Sequence, residues 1–346
     1  MHVHLEACAR PPLARRMAAR YGESIEDVIA PDGESYRHTD FTSFLDAYSR
    51  VANLFRTAED YAELTETYLD ELAAARTIYA EIILWPDHPE RLGLPADDYL
   101  AGVREGIARH AASQGDAAVT TRLLVTGVRH EGVEAVERAG RTAVRWHDEG
   151  PRAVDADAPL VTGFGLAGDE RVGHPRDFER AFSMAREAGM GLACHAGELC
   201  GPESVRAALD HLDPDRIDHG VRAIEDLELV RRLADMAMPL TVCIGSNLAL
   251  GVFPSLDAHP ARALNEAGCH LMLGSDDPPH FGTSLAGEYG LAARKGLDVE
   301  MLTRSVFELN FCDDGTRERI TARHGIELSP HQAGTRKALD RPARSA

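Results

Sequence analysis

At 346 residues, with 44% apolar but only 6% aromatic side chains, the chain can bury a large aliphatic core and reads as an ordinary soluble globular protein. Its formal net charge of −19 repels phosphate backbones and anionic lipid headgroups, which argues against nucleic acid and membrane partners and leaves a small neutral substrate open. No basic patch followed by an apolar core opens the chain, and no apolar run nears the roughly 20 residues needed to span a bilayer, so the expected location is cytoplasmic.

Met1-His2-Val3-His4-Leu5-Glu6 places two histidines at period two, so that on a strand both point to one face. Pro11 to Tyr21 reads as a helix with proline in its first turn. From Asp40 to Arg56 an amphipathic helix carries Phe41, Phe44, Leu45, Tyr48, Val51 and Phe55 at helical spacing, fit either for core packing or for a lid over a pocket. A further helix follows over Thr57–Arg76.

The chain then alternates. Strand-like runs at Ile78–Leu84, Val119–Thr126, Leu160–Leu166, Gly191–Cys194, Arg216–Asp218, Leu240–Ile244 and His270–Gly274 are separated by helical patterns at Asp98–Ala112, Gly132–His147, Arg176–Glu187, Pro202–Leu212, Glu225–Met236 and Pro260–Ala267. With the opening stretch this makes eight strands, the pattern of a parallel sheet closed into a (β/α)8 TIM barrel, with additional helices after strand 1 and at the C-terminus (Leu285–Arg294 and Met301–Asn310). An open doubly wound sheet would need a Gly-rich phosphate turn after its first strand, and the sequence has none there. The expected organisation is one barrel domain over residues 1–328 and a poorly ordered tail over residues 329–346.

Barrel enzymes carry their reactive groups at the C-terminal ends of the strands. Four such ends here supply the same kind of group: His2 and His4; His195 and Glu198 in His195-Ala196-Gly197-Glu198; His219 in Asp218-His219-Gly220; and Asp276 and Asp277 in Ser275-Asp276-Asp277-Pro278. Each has a bland reading alone, as a satisfied core histidine pair, a loop histidine or a turn. Together they form a nitrogen/oxygen site suited to Zn²⁺ or another divalent first-row metal, with His2, His4, His195 and Asp276 as ligands. Glu198 and His219 remain as acid/base groups, which hydrolysis at an activated water needs. The six cysteines are scattered without a Cys-x-x-Cys pair and are expected as free thiols. Lys295 and Lys337 are the only lysines among 37 basic residues, which leaves none placed for Schiff-base or carbamate chemistry.

These motifs, with Leu166-Ala167-Gly168-Asp169-Glu170, Ser246-Asn247 and Phe281-Gly282-Thr283-Ser284-Leu285, resemble the adenosine deaminase family of the amidohydrolase superfamily across Met1 to Ile320. The resemblance implies one zinc per subunit on His2, His4, His195 and Asp276, and a purine as substrate. It further implies that Glu198 protonates N1, His219 orients and deprotonates the attacking water, Asp277 bonds N7 and the Gly168 N–H faces N3. Glu6 would lie near the ribose and the Phe41–Phe55 helix over the pocket. Water then adds to C6 and ammonia leaves. The leading expectation is adenosine or deoxyadenosine deamination. The alternative is adenine or a modified 6-aminopurine such as aminodeoxyfutalosine, which Asp218 before His219 favours while Phe281–Leu285 looks nucleoside-type. Two further departures are Ala7 in place of the usual glycine and a first strand that begins at Met1-His2. A truncated first strand would suit a reading of a different class, an inactive metal-binding barrel. Oligomeric state is not legible.

Overall fold

The computed structural model describes residues 2–327; the expected tail at 329–346 lies outside them. Seven parallel strands pair in chain order: β1 (Tyr79–Leu84), β2 (Thr120–Val128), β3 (Val161–Ala167), β4 (Gly191–Ala196), β5 (Arg216–His219), β6 (Pro239–Val242) and β7 (His270–Leu273). Most are largely apolar rather than strictly alternating, because a parallel sheet covered by helices is buried on both faces, while β5 carries Arg216, Asp218 and His219. Every residue of β1 and β4 is buried accordingly.

The eighth strand expected at the start is not a ladder. Residues 2–4 are extended and make two single bridges, Val3 to Asp276 and His4 to Ile83, before the chain turns into a 3₁₀ helix at Leu5–Ala7. Those bridges nevertheless join the end of β7 to β1 and complete the TIM barrel. His2 C=O accepts from the N–H groups of Ser275 (3.0 Å) and Asp276 (2.9 Å), His4 N–H donates to Asp276 C=O (3.2 Å), and Ile83 N–H donates to Val3 C=O (2.8 Å). Gly274 permits this close approach: a Cβ there would stand 2.6 Å from His2 Cβ and 2.9 Å from His2 C=O. The opening residues are therefore stitched on both sides, and a barrel disabled by a loose first strand has no support here.

Beneath the mouth, the ring of Phe311 enters the barrel and packs with Ile83, Leu124 and Ala193. A Cβ on Gly191 would lie 2.3 Å from that ring, so glycine makes the room. The anticipated helices are present to within a few residues at either end. The structure adds helices at Asp87–Arg91, Ile244–Ala249 and Asp314–His324. The expected strand through Ile244 instead ends at Val242, since a short apolar run has no period that separates strand from buried helix. Among the described residues no helix is long and apolar enough to cross a membrane. The six cysteines form no disulfide among the described residues, and five of them are buried.

Candidate active site

The four expected ligands arrive from three directions: His2 and His4 from the bridging N-terminal segment, His195 from the end of β4, and Asp276 from the turn after β7. His4 Nε2 lies 3.3 Å from His2 Nε2 and 3.3 Å from His195 Nε2. Asp276 Oδ1 is 3.3 Å from His2 Nε2 and 3.6 Å from His4 Nε2. A tetrahedral ion bound at about 2.0–2.1 Å sets its ligand atoms about 3.3 Å apart, so these separations fit a divalent cation between them. Burial first, then the neighbouring His2, holds His4 down to about 4 and His195 well below the usual imidazole range, leaving both neutral as ligation requires. Burial also opposes charge on His2, yet Asp218 and Asp276 outweigh it and raise that imidazole to about 10. The two carboxylates call for positive charge at this point, and a metal ion would supply it.

Asp276 and His219 hold φ at +59° and +66°, left-handed conformations that cost a non-glycine residue about 1–3 kcal/mol each. Two of the five such residues among those described thus sit in this one site. Ser246, on the short helix after β6, donates to Asp276 Oδ2 at 2.6 Å and fixes the carboxylate plane.

Glu198 follows β4 on a loop whose shape is set from outside. The carboxylate of Glu170 accepts four consecutive backbone N–H groups: Gly197 (2.5 Å), Glu198 (3.0 Å), Leu199 (2.8 Å) and Cys200 (2.9 Å). Thus anchored, Glu198 Oε1 stands 3.7 Å from His219 Nδ1. Burial, then the charges of Asp276 and Glu170, push the Glu198 carboxyl well above its ordinary range. Burial and Asp276 do the same to Asp277, whose Oδ1 has no hydrogen bond among the described residues. Burial thus favours the protonated, donating form of both acids. Burial keeps the His219 imidazole neutral, at about 4.

A cavity of about 380 Å³ opens over these groups. His4, His195, Glu198, His219, Asp276 and Asp277 form its floor, while Phe41, Phe44, Leu45 and Tyr48 of the Phe41–Ala52 helix, with Phe281, form its roof. That helix plays both roles open to it in the sequence: Phe44 and Val51 are buried, and its other aromatic side chains face the cavity. Gly168 is on the wall with φ +94°. His2 lies behind His4, outside the lining. Glu6 is also absent from the wall. It is 1% exposed, and its Oε1 accepts from Tyr99 OH (2.5 Å) and Trp85 N–H (3.2 Å).

Four participants escape the sequence reading. Glu170 belonged to a motif but had no assigned work. Asp218 was read only as a marker of substrate type, and it faces two of the histidines. Arg216 and Glu81 form a fully buried ion pair at 2.7 Å beneath the site. Period two along β5 would have put Arg216 on the face of Asp218, and a lone carboxylate inside Tyr79–Leu84 was a signal for a buried partner.

A sequence model of the family described as adenosine deaminase matches residues 1–323. A protein named adenine deaminase from Chelativorans sp. (strain BNC1) is 51% identical over 327 residues, covering 93% of this chain and 96% of its own. One of the same name from Rhizobium leguminosarum bv. trifolii is 49% identical, covering 93% and 97%. The crystal structure of adenine deaminase from Arthrobacter aurescens superposes with a TM-score of 0.81 at 29% identity, covering 93% and 96%. An amidohydrolase from Burkholderia ambifaria, solved with bound Zn, shares the fold with a TM-score of 0.77 at 22% identity, covering 98% and 91%.

Proposed function

The chain belongs to the adenosine deaminase family and is a hydrolytic aminohydrolase, and from that premise we propose that it converts adenine to the 6-oxo purine with release of ammonia. The observation that carries the choice of base is the name shared by relatives about half identical over nearly the whole chain. The leading expectation of adenosine therefore gives way to its alternative. Glu6 supports the same choice. The carboxylate expected beside a ribose does not line the cavity: Glu6 is 1% exposed, and its Oε1 is engaged by Tyr99 and Trp85.

In this reading His2, His4, His195 and Asp276 hold one divalent cation, with zinc suited to the donor set. When bound, it supplies Lewis-acid activation of water at neutral pH. The protein's own groups do the rest. Glu198, whose protonated form burial and Asp276 favour, delivers a proton to N1 as C6 becomes tetrahedral. His219, neutral and 3.7 Å from Glu198, orients the water and accepts its proton for transfer to the departing ammonia. Asp277, whose protonated form burial and Asp276 likewise favour, donates to N7, and the Gly168 amide faces N3. Positioned acid/base groups of this kind contribute about 10²–10⁴-fold each. The aromatic roof excludes water and strengthens every polar contact below it.

The test is a comparison of substrates with metal-loaded protein. We expect kcat/KM on adenine to exceed that on adenosine by at least about 100-fold, the scale on which a polar pocket discriminates between substrates. Equal or reversed efficiencies would restore the nucleoside reading.

A further inference from the structure

Two of the histidines that converge on the common centre turn their other ring nitrogens to a single carboxylate. Asp218 Oδ1 lies 3.4 Å from His2 Nδ1, and Asp218 Oδ2 lies 3.4 Å from His195 Nδ1. Asp218 is itself held from below. Arg216 Nε is 3.3 Å from its Oδ1, and Arg216 Nη1 donates to Glu81 Oε2 at 2.7 Å. The other oxygen of Glu81 accepts from Tyr79 OH (2.9 Å) and from the N–H of Phe311 (2.6 Å), while the Arg216 guanidinium lies 4.4 Å over the Phe311 ring. Glu81 and Arg216 are 0% exposed and Asp218 is 1% exposed.

A column of alternating charges (Glu81, Arg216, Asp218) sealed inside a barrel is costly unless each member is paired, and well-packed apolar residues could fill the same space. Its geometry gives it a use. An ionised carboxylate only accepts, so each oxygen of Asp218 selects the Nδ1–H form of the ring it faces. Both Nε2 lone pairs are then left free and directed at the centre shared with His4 and Asp276. The second oxygen matters because one side chain fixes two rings, one from the N-terminal segment and one from β4, which no backbone ladder connects.

We infer that Asp218, clamped by Arg216 and Glu81, is a shared positioning residue for the metal centre, selecting the tautomer and orientation of His2 and His195 together. The inference rests on the ligand set proposed above. It makes the tautomer of both rings a property of one residue on β5 and ties metal affinity to an ion pair at the bottom of the barrel.

The test measures metal binding rather than turnover. Zinc affinity of the chelator-stripped full chain is read by competition with a chromophoric chelator, and ligand geometry by the visible spectrum of the Co²⁺-loaded form. Asp218→Asn keeps the shape but leaves one accepting oxygen for two rings. We expect its zinc Kd to rise about 10–100-fold and its Co²⁺ spectrum to shift. Arg216→Lys retains the buried charge but loses the fork that holds both carboxylates, and should weaken zinc binding about 3–10-fold in the same direction. This second variant carries the test if Asp218→Asn does not fold. Wild-type zinc affinity and an unchanged Co²⁺ spectrum in the folded variants would overturn the inference while leaving the ligand set intact. Failure of the wild-type chain to bind one zinc would overturn both.

Discussion

At and beneath the floor of the cavity His219, His2 and Asp218 are at most 1% exposed, and the buried charges are answered by others at short distance. On the roof Phe41, Leu45 and Tyr48 are half-buried, and the packing is ring on ring: Phe41 to Phe44 at 5.8 Å and Phe44 to Phe281 at 5.0 Å between centroids. The floor is over-determined. Strand ends, a bridged N-terminus, two left-handed residues and buried carboxylates all constrain the same few atoms. The roof is an amphipathic helix started by an Asp40/Ser43 capping box and seated through aromatic rings on His280 and Phe281. Reaction chemistry belongs to the part that cannot shift, and fit to the substrate belongs to the part that can.

Substitutions sharpen this division. Glu170→Gln alters the floor without touching substrate. A carboxamide accepts at only one oxygen, so some of the N–H groups of residues 197–200 lose their acceptor, at about 1–3 kcal/mol for each one left unsatisfied. With Glu198 displaced, kcat on adenine should fall about 10–100-fold while KM stays within about threefold. A rise in KM with unchanged kcat would assign Glu170 to binding instead. Phe41→Ala alters the roof alone and gives the smaller effect: KM should rise about 3–10-fold, because the bound purine then buries less apolar surface, with kcat within about twofold. If kcat fell as far as in Glu170→Gln, floor and roof would not be separable.

The two regions were also unequally legible before the structure. The positions of β1 to β7 could be read because buried parallel strands are short, largely apolar runs bounded by turns, and His195 because it ends such a run. Hidden were the interactions that act across distance. Glu81 and Arg216 lie 135 residues apart, and nothing local in either stretch names the other. Glu170 reaches a loop about 30 residues on through backbone N–H groups, which carry no residue identity. Glu6 has a side chain that can turn either way, and only packing against Tyr99 decides it. The roof helix was visible as a stripe, but a stripe does not say whether it faces core or cavity. The start of the chain misled because two bridged residues can hold ligands without being a strand.

The central claim is that one group of side chains holds the cation while a separate neutral acid serves the purine. Glu198→Gln tests it most directly, since it removes the acid and leaves His2, His4, His195 and Asp276 untouched. The account predicts one zinc per chain at wild-type affinity and adenine turnover reduced by about 10³-fold or more. A variant that still turns over adenine at the wild-type rate, or that loses its zinc, would contradict it.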